Sequence, residues 1–161
     1  MRLIQPLAAI LLLLAACSPQ SAGQGQASTP AAPARHAVSG LPVIPLSVVS
    51  GKVRHQFHVE VAASPAQQEK GLMFRTSMGD DEGMIFPMHP PRQAAFWMRN
   101  TVIPLDIVFI GRDRRILNIA ANAVPYDETP LPSAGPASGV LELKGGRAAA
   151  LGIGPGDLVE W

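Results

Sequence analysis

The stretch with the strongest chemical character is residues 95–106, which read AFWMRNTVIPLD. In it, Trp97 is followed closely by Arg99 and Asn100, and an apolar run then ends at Asp106. A guanidinium binds a carboxylate or phosphate through parallel hydrogen bonds, and an indole ring offers an apolar wall to a small ligand. The pattern predicts a surface for a small polar, anionic or carbohydrate-like ligand, bordered by Trp97, Arg99, Asn100 and Asp106.

Arg75 follows the string GLMF and adds a second cation to the predicted ligand-binding residues. Two other interpretations stay open. These side chains could fasten the fold, with Arg99 paired to Asp106 or Glu142, because a buried polar group without a partner costs roughly 1–3 kcal/mol. The protein could also be an enzyme in which Asp106 acts as a general base and Arg99 stabilises an anion.

A further alternative, metal binding, comes from methionines that lie close together in the sequence. Their thioether sulfurs are soft ligands that suit Cu(I). Methionines also fill gaps in small cores, so Cu(I) binding is an alternative rather than the main expectation. The cluster consists of Met73, Met78, Met84, Met88 and Met98.

The sequence shows no established catalytic or metal-binding motif. It has no G-x-S-x-G string and no H-E-x-x-H string. His55 and His58 are three residues apart on a predicted strand and therefore point to opposite faces. We predict neither a metal nor a cofactor, and the catalytic residues, if there are any, stay unassigned.

Two elements next to this stretch have clear signatures. Residues 52–62 alternate between apolar and polar side chains, which predicts a half-buried strand with Glu60 on its solvent face. Ser64 and Gln67 match a capping box, which predicts the start of a short helix. Gly71 predicts its end.

The rest of the chain suggests further short elements. A second helix is expected in 145–152, and 106–110 with 115–121 reads as a hairpin. We predict an α+β fold: a β-rich compact single domain with a mainly antiparallel curved sheet or partial barrel and two short helices. Other strands are predicted at 84–86, 95–101, 140–143 and the C-terminus.

The N-terminus has the features of an export signal. Residues 1–16 combine a basic start with an apolar run too short for a membrane span, which needs roughly 20 residues. The run ends in Leu-Ala-Ala before Cys17, which resembles the lipobox of bacterial lipoproteins. We therefore expect an acylated Cys17, a membrane lipid as partner, and a location in the cell envelope facing the periplasm at the outer membrane.

The segment after Cys17 is rich in Ser, Pro, Gly, Ala and Gln, which predicts a flexible tether over 17–45 and a globular domain over 46–161. Cys17 is the one cysteine, so the domain has no disulfide framework. The chain has 13 basic and 12 acidic side chains, and removal of Arg2 with the signal leaves equal numbers. We expect no nucleic-acid partner, because such binding needs a basic surface.

Several strings stand in an order that is similar to one family. EKGLMFR, DDEGMIF, FWMRNTVIPLDIVFI and VLEL resemble the bacterial and archaeal family known as domain of unknown function 192, over residues 57–161. The resemblance implies a compact, mainly antiparallel β domain with short helices, often exported or lipid-anchored, and no catalytic residues to transfer. Arg99 stands where members often have lysine, which keeps the charge but changes the hydrogen-bonding geometry.

The sequence thus predicts an envelope lipoprotein whose domain binds rather than catalyses. Its expected partner is a small molecule or another envelope protein.

Overall fold

The computed structural model of the chain describes residues 34–161. The predicted signal peptide, the lipidation at Cys17 and the tether up to residue 33 lie outside the described residues. The elements of the described part are β1 (Val43–Ser50), β2 (Val53–Val61), α1 (Pro65–Lys70), β3 (Glu82–Arg92), β4 (Ala95–Phe96), β5 (Leu105–Ile110), β6 (Ile116–Ala123), β7 (Leu131–Pro132), β8 (Ala137–Lys144), α2 (Arg147–Leu151) and β9 (Leu158–Glu160).

Seven of these strands form one mixed sheet in the order β6-β5-β8-β3-β2-β1-β9. Neighbours are antiparallel except β2 and β3, which run parallel. Strands β4 and β7 pair separately as a two-stranded ribbon. The β-rich α+β class is confirmed, and the sheet is open rather than closed into a barrel.

Each face of the sheet carries its own apolar cluster. On β8, Leu141 and Leu143 belong to the cluster that packs against Ala148 of α2. Val140 belongs to the other cluster, which the ribbon strand β4 and the loops beside it cover. Because side chains alternate along a strand, Glu142 points to the same face as Val140. That face carries the candidate site.

Helix α1 begins and ends as the sequence predicts. The Ser64 side chain accepts from the Gln67 N–H, the Gln67 side chain accepts from the Ser64 N–H, and Gly71 caps the C-terminus. The hairpin of β5 and β6 is confirmed as well. Neither helix of residues 34–161 is long and apolar enough to cross a membrane.

Strand β1 begins at Val43, inside the range that composition assigns to the tether. Its Leu46 and Val48 are buried, and it pairs with β2 along its whole length. Pro45 is tolerated because β9 pairs with β1 only from Ser47 onward, so Pro45 lies on an unpaired edge. The packed part of the chain therefore starts before Leu46.

The predicted strand over 95–101 is wrong beyond Phe96. The chain turns instead, with the Thr101 N–H donating to the Met98 carbonyl at 3.1 Å. Asn100 takes a left-handed conformation with φ 55°, which asparagine tolerates better than most residues. Arg99 and Asn100 therefore sit on a turn at the surface, whereas Thr101 is buried.

Candidate functional site

A cavity of about 330 Å³ opens between α1, β3 and the turn after β4. Aromatic and apolar side chains form much of its wall, among them Phe86, Met88 and Phe96. The Phe86 and Phe96 rings meet edge to face at 5.1 Å. Such an apolar enclosure with a few polar groups is typical of small-molecule sites.

The polar group that sets this cavity apart is Glu142, from the inner strand β8. Its residue is 5% exposed, and its Oε2 has no hydrogen-bond partner within the described residues. Its neighbours across the sheet are Met84 on β3 and Ile107 on β5, both apolar. Burial without a compensating charge raises the pKa of Glu142 to about 8.

The sequence indicated Glu142 only as a possible partner for Arg99. In the structure Arg99 pairs with Glu128 instead. A signal was nevertheless present in the string VLEL. Both faces of an inner strand are buried, so a carboxyl in such a run demands an explanation.

Arg99 and Trp97 are in contact at the surface. The Arg99 Cζ lies 5.3 Å from the centre of the Trp97 ring, within range of a cation–π interaction. The Arg99 Nε and Nη2 donate to Oε2 of Glu128 at 3.1 and 2.7 Å. This hydrogen bond, with the charge of Arg99, holds the pKa of Glu128 below its ordinary value.

Trp97 and Arg99 line the cavity, and with Asn100 they also line a second hollow beside it. Asn100 donates from Nδ2 to the sulfur of Met73 at 3.8 Å, and its carbonyl accepts from the Phe74 N–H. The turn thus brings three of the predicted site residues to one surface.

Asp106 does not line this cavity, contrary to the prediction that it borders the site. It is fully buried, and its carboxylate accepts from the backbone N–H groups of Asn122, Gly146 and Ala148 at 2.7–2.9 Å. Residues alternate along β5, so Asp106 faces α2 while Leu105 faces the opposite cluster. It fastens the loop before α2, and a fully buried carboxylate outside the cavity is not placed to act as a general base there.

Arg75 is also placed apart from that cavity. Its Nη2 donates to Oε1 of Glu60 at 2.8 Å, and both side chains are almost buried. The Nδ1 of His36 lies 3.6 Å from Oε1 of Glu60, and the Ser39 hydroxyl donates a hydrogen bond to the same carboxylate. Glu60, predicted to face solvent, therefore ties the segment before β1 to the sheet.

The methionines lie mostly in the core. Within residues 34–161, no group of three or more His, Cys, Asp or Glu side chains is arranged to hold a metal. Met73 lies at the cavity wall. The other four belong to one apolar cluster: Met78, Met84, Met88 and Met98.

Comparison with known proteins gives a family but no activity. Residues 47–161 match the family model DUF192, described as "Uncharacterized ACR". A crystal structure of a protein of unknown function from Novosphingobium aromaticivorans is 65% identical, with a TM-score of 0.79 over 82% of this chain and 94% of that chain. A second, from Sinorhizobium meliloti and provisionally named a transcription regulator, is 39% identical, with a TM-score of 0.72 over 74% and 94%. No curated protein matches the chain.

Proposed function

The chain belongs to the DUF192 family of uncharacterised proteins, and from that premise we propose that its domain binds a small polar, anionic or carbohydrate-like ligand in the cavity above Glu142. The observation that carries the proposal is the unpartnered carboxyl of Glu142 among apolar side chains. A buried polar group without a partner is costly, and a ligand that enters the cavity would supply one.

The mouth of the cavity supports a binding role. Trp97 is 48% exposed and presents an aromatic surface, and Arg99 stands beside it. An aromatic plate with a guanidinium suits sugar hydroxyls, carboxylates and phosphates. Glu142 inside and Trp97 with Arg99 outside would then hold a ligand at both ends.

We place this domain in the cell envelope, tethered through an acylated Cys17. The support is the sequence of the first 17 residues, with the Ser-, Pro- and Gly-rich segment that follows. Stable anchoring requires more than one acyl chain, because a single chain binds membranes only marginally. The Cys17→Ser variant should move from the membrane to the soluble fraction on cell lysis, and a variant that stays with membranes would contradict the anchor.

The binding function is tested with the full-length chain by thermal denaturation across sugars, amino acids, organic acids and sugar phosphates. At least one class should raise the Tm in a concentration-dependent manner, because a ligand that binds only the folded state stabilises it. Trp97→Ala and Arg99→Ala should reduce that rise.

Arg112→Ala is the matched control, because Arg112 is exposed and lines none of the cavities. It should leave the Tm rise unchanged. If no ligand of the panel raises the Tm, or if all three variants lose the Tm rise equally, binding in this cavity is contradicted.

A further inference from the structure

We propose that the ligand is a small zwitterion, whose ammonium group pairs with Glu142 while its anionic group faces the cationic mouth of the cavity. This inference rests on the proposed binding function and names its ligand class. Four features of the cavity lead to it.

The first feature is the missing partner of Glu142. The acid lies on the inner strand β8 with no hydrogen bond to Oε2 and no ion pair among residues 34–161. Burial keeps it largely protonated at neutral pH, since its pKa is raised to about 8. An ammonium group would supply the charge that lets this carboxyl ionise in an apolar place.

The second feature is the aromatic lining that the cavity has together with Glu142. Phe86, Phe96 and Trp97 all line the cavity. The faces of aromatic rings carry partial negative charge and attract cations. These rings therefore favour an ammonium group over a second anion at the inner end.

The third feature is the charge at the mouth. The ionisable side chains that line the cavity with Glu142 are Glu69, Lys70, Arg92 and Arg99. Within the described part of the chain, the side chains of Lys70 and Arg92 have neither an ion pair nor a hydrogen bond, and both are exposed. Arg99 is paired with Glu128, but Lys70 and Arg92 outnumber Glu69, so the mouth keeps a positive charge. That charge disfavours a simple cation, whereas a zwitterion presents its anionic end to it.

The fourth feature is size. A volume of about 330 Å³ lies at the low end of the roughly 300–1,000 Å³ range of ligand pockets. It suits a molecule the size of a free amino acid.

The test is calorimetric titration of the full-length chain at pH 7 with glycine, 3-aminopropanoate, 4-aminobutanoate and 5-aminopentanoate. This series keeps both charges and varies the distance between them. Butanoate, butylammonium and glucose are the controls that lack one or both charges. One or more members should bind at least tenfold more tightly than every control.

Proton release gives a second readout. Pairing with an ammonium ion should ionise Glu142, so binding should release close to one proton, visible as different heats in phosphate and Tris buffers. Glu142→Gln should abolish this release and weaken binding at least tenfold. The double variant Lys70→Ala/Arg92→Ala, which leaves the core untouched, should weaken binding while proton release stays.

The outcomes separate the two proposals. If butanoate or glucose binds as tightly as the amino acids and no proton is released, the zwitterion is excluded and the binding function stands. Binding of a zwitterion without proton release would exclude the pairing with Glu142. If neither this series nor the wider panel binds, the binding function fails as well.

Discussion

Glu142 and Trp97 line the same cavity, yet the first is 5% exposed and the second is 48% exposed. The difference follows from the fold, because β8 is an inner strand of the sheet while the turn after β4 lies at the surface. A ligand that passes the indole ring approaches the buried acid. The inner acid and the outer ring therefore border one candidate site.

The first prediction concerns the stability of the chain against pH. The pKa of Glu142 rises from an ordinary 4.5 to about 8 on folding, so the folded chain keeps a proton that the unfolded chain releases. Its contribution to stability is fully present below about pH 4.5 and is lost as the pH rises to about 8. The loss amounts to at most ~5 kcal/mol.

Urea unfolding of the wild type and Glu142→Gln between pH 4 and pH 9 measures this effect. The variant keeps a neutral polar group at all pH values, so its advantage over the wild type should grow with pH and level off above about 8. Two parallel profiles would show that Glu142 titrates normally in the folded chain.

The second prediction is that Asp106 is structural. Asp106→Ala removes the acceptor of three backbone N–H groups, of which the Ala148 N–H is buried. A buried donor left unpaired costs roughly 1–3 kcal/mol, so unfolding should become easier by about that amount. Asp113→Ala, at the exposed turn between β5 and β6, should change the free energy of unfolding by less than ~1 kcal/mol. A loss below ~0.5 kcal/mol for Asp106→Ala would reopen its role as a general base.

The third prediction is that Arg75 holds the segment before β1. Arg75→Ala removes a charge-assisted hydrogen bond from the buried Glu60 and leaves it with Ser39 and His36, which predicts a loss of ~1.5–3 kcal/mol. Amide exchange at His36, Gly40 and Val43 should become faster, since these N–H groups bond within that segment. In Glu60→Gln/Arg75→Ala no charge is left behind, so the loss should be smaller. Unchanged exchange in Arg75→Ala would remove the proposed fastening role.

Much of the fold could be predicted from local sequence, and the predictions that were wrong share one cause. The capping box of α1 and the β5–β6 hairpin depend on neighbouring residues, and both were predictable. Glu60 fits the solvent face of its strand, but Arg75 and His36 from other segments cover it. Such partners are long-range, and strand periodicity does not reveal them.

The candidate site was predictable only at its rim. Trp97 and Arg99 stand out by residue type, and a turn rather than the predicted strand brings them into contact. Asp106 looked equally available, and only the fold reveals the backbone donors that surround it. Glu142 becomes conspicuous once β8 is known to be an inner strand with both faces covered.

The fourth prediction concerns the methionines. Met84 and Met98 are buried in an apolar cluster, so their sulfurs should not be available to Cu(I). In a Cu(I) titration of the full-length chain, Met84→Leu and Met98→Leu should give the affinity of the wild type. A tenfold weaker affinity in either variant, with the Tm unchanged, would establish Cu(I) binding through that sulfur.

The most direct test of the central claim is a carbon NMR titration of the full-length chain carrying ¹³C at the glutamate carboxyl carbon. The signal missing from Glu142→Gln identifies Glu142. Its titration should have a midpoint near 8 without ligand, because the carboxyl is buried and unpartnered at the cavity. A midpoint near 4.5 would show an acid that is already solvated or paired, and would contradict this account of the site.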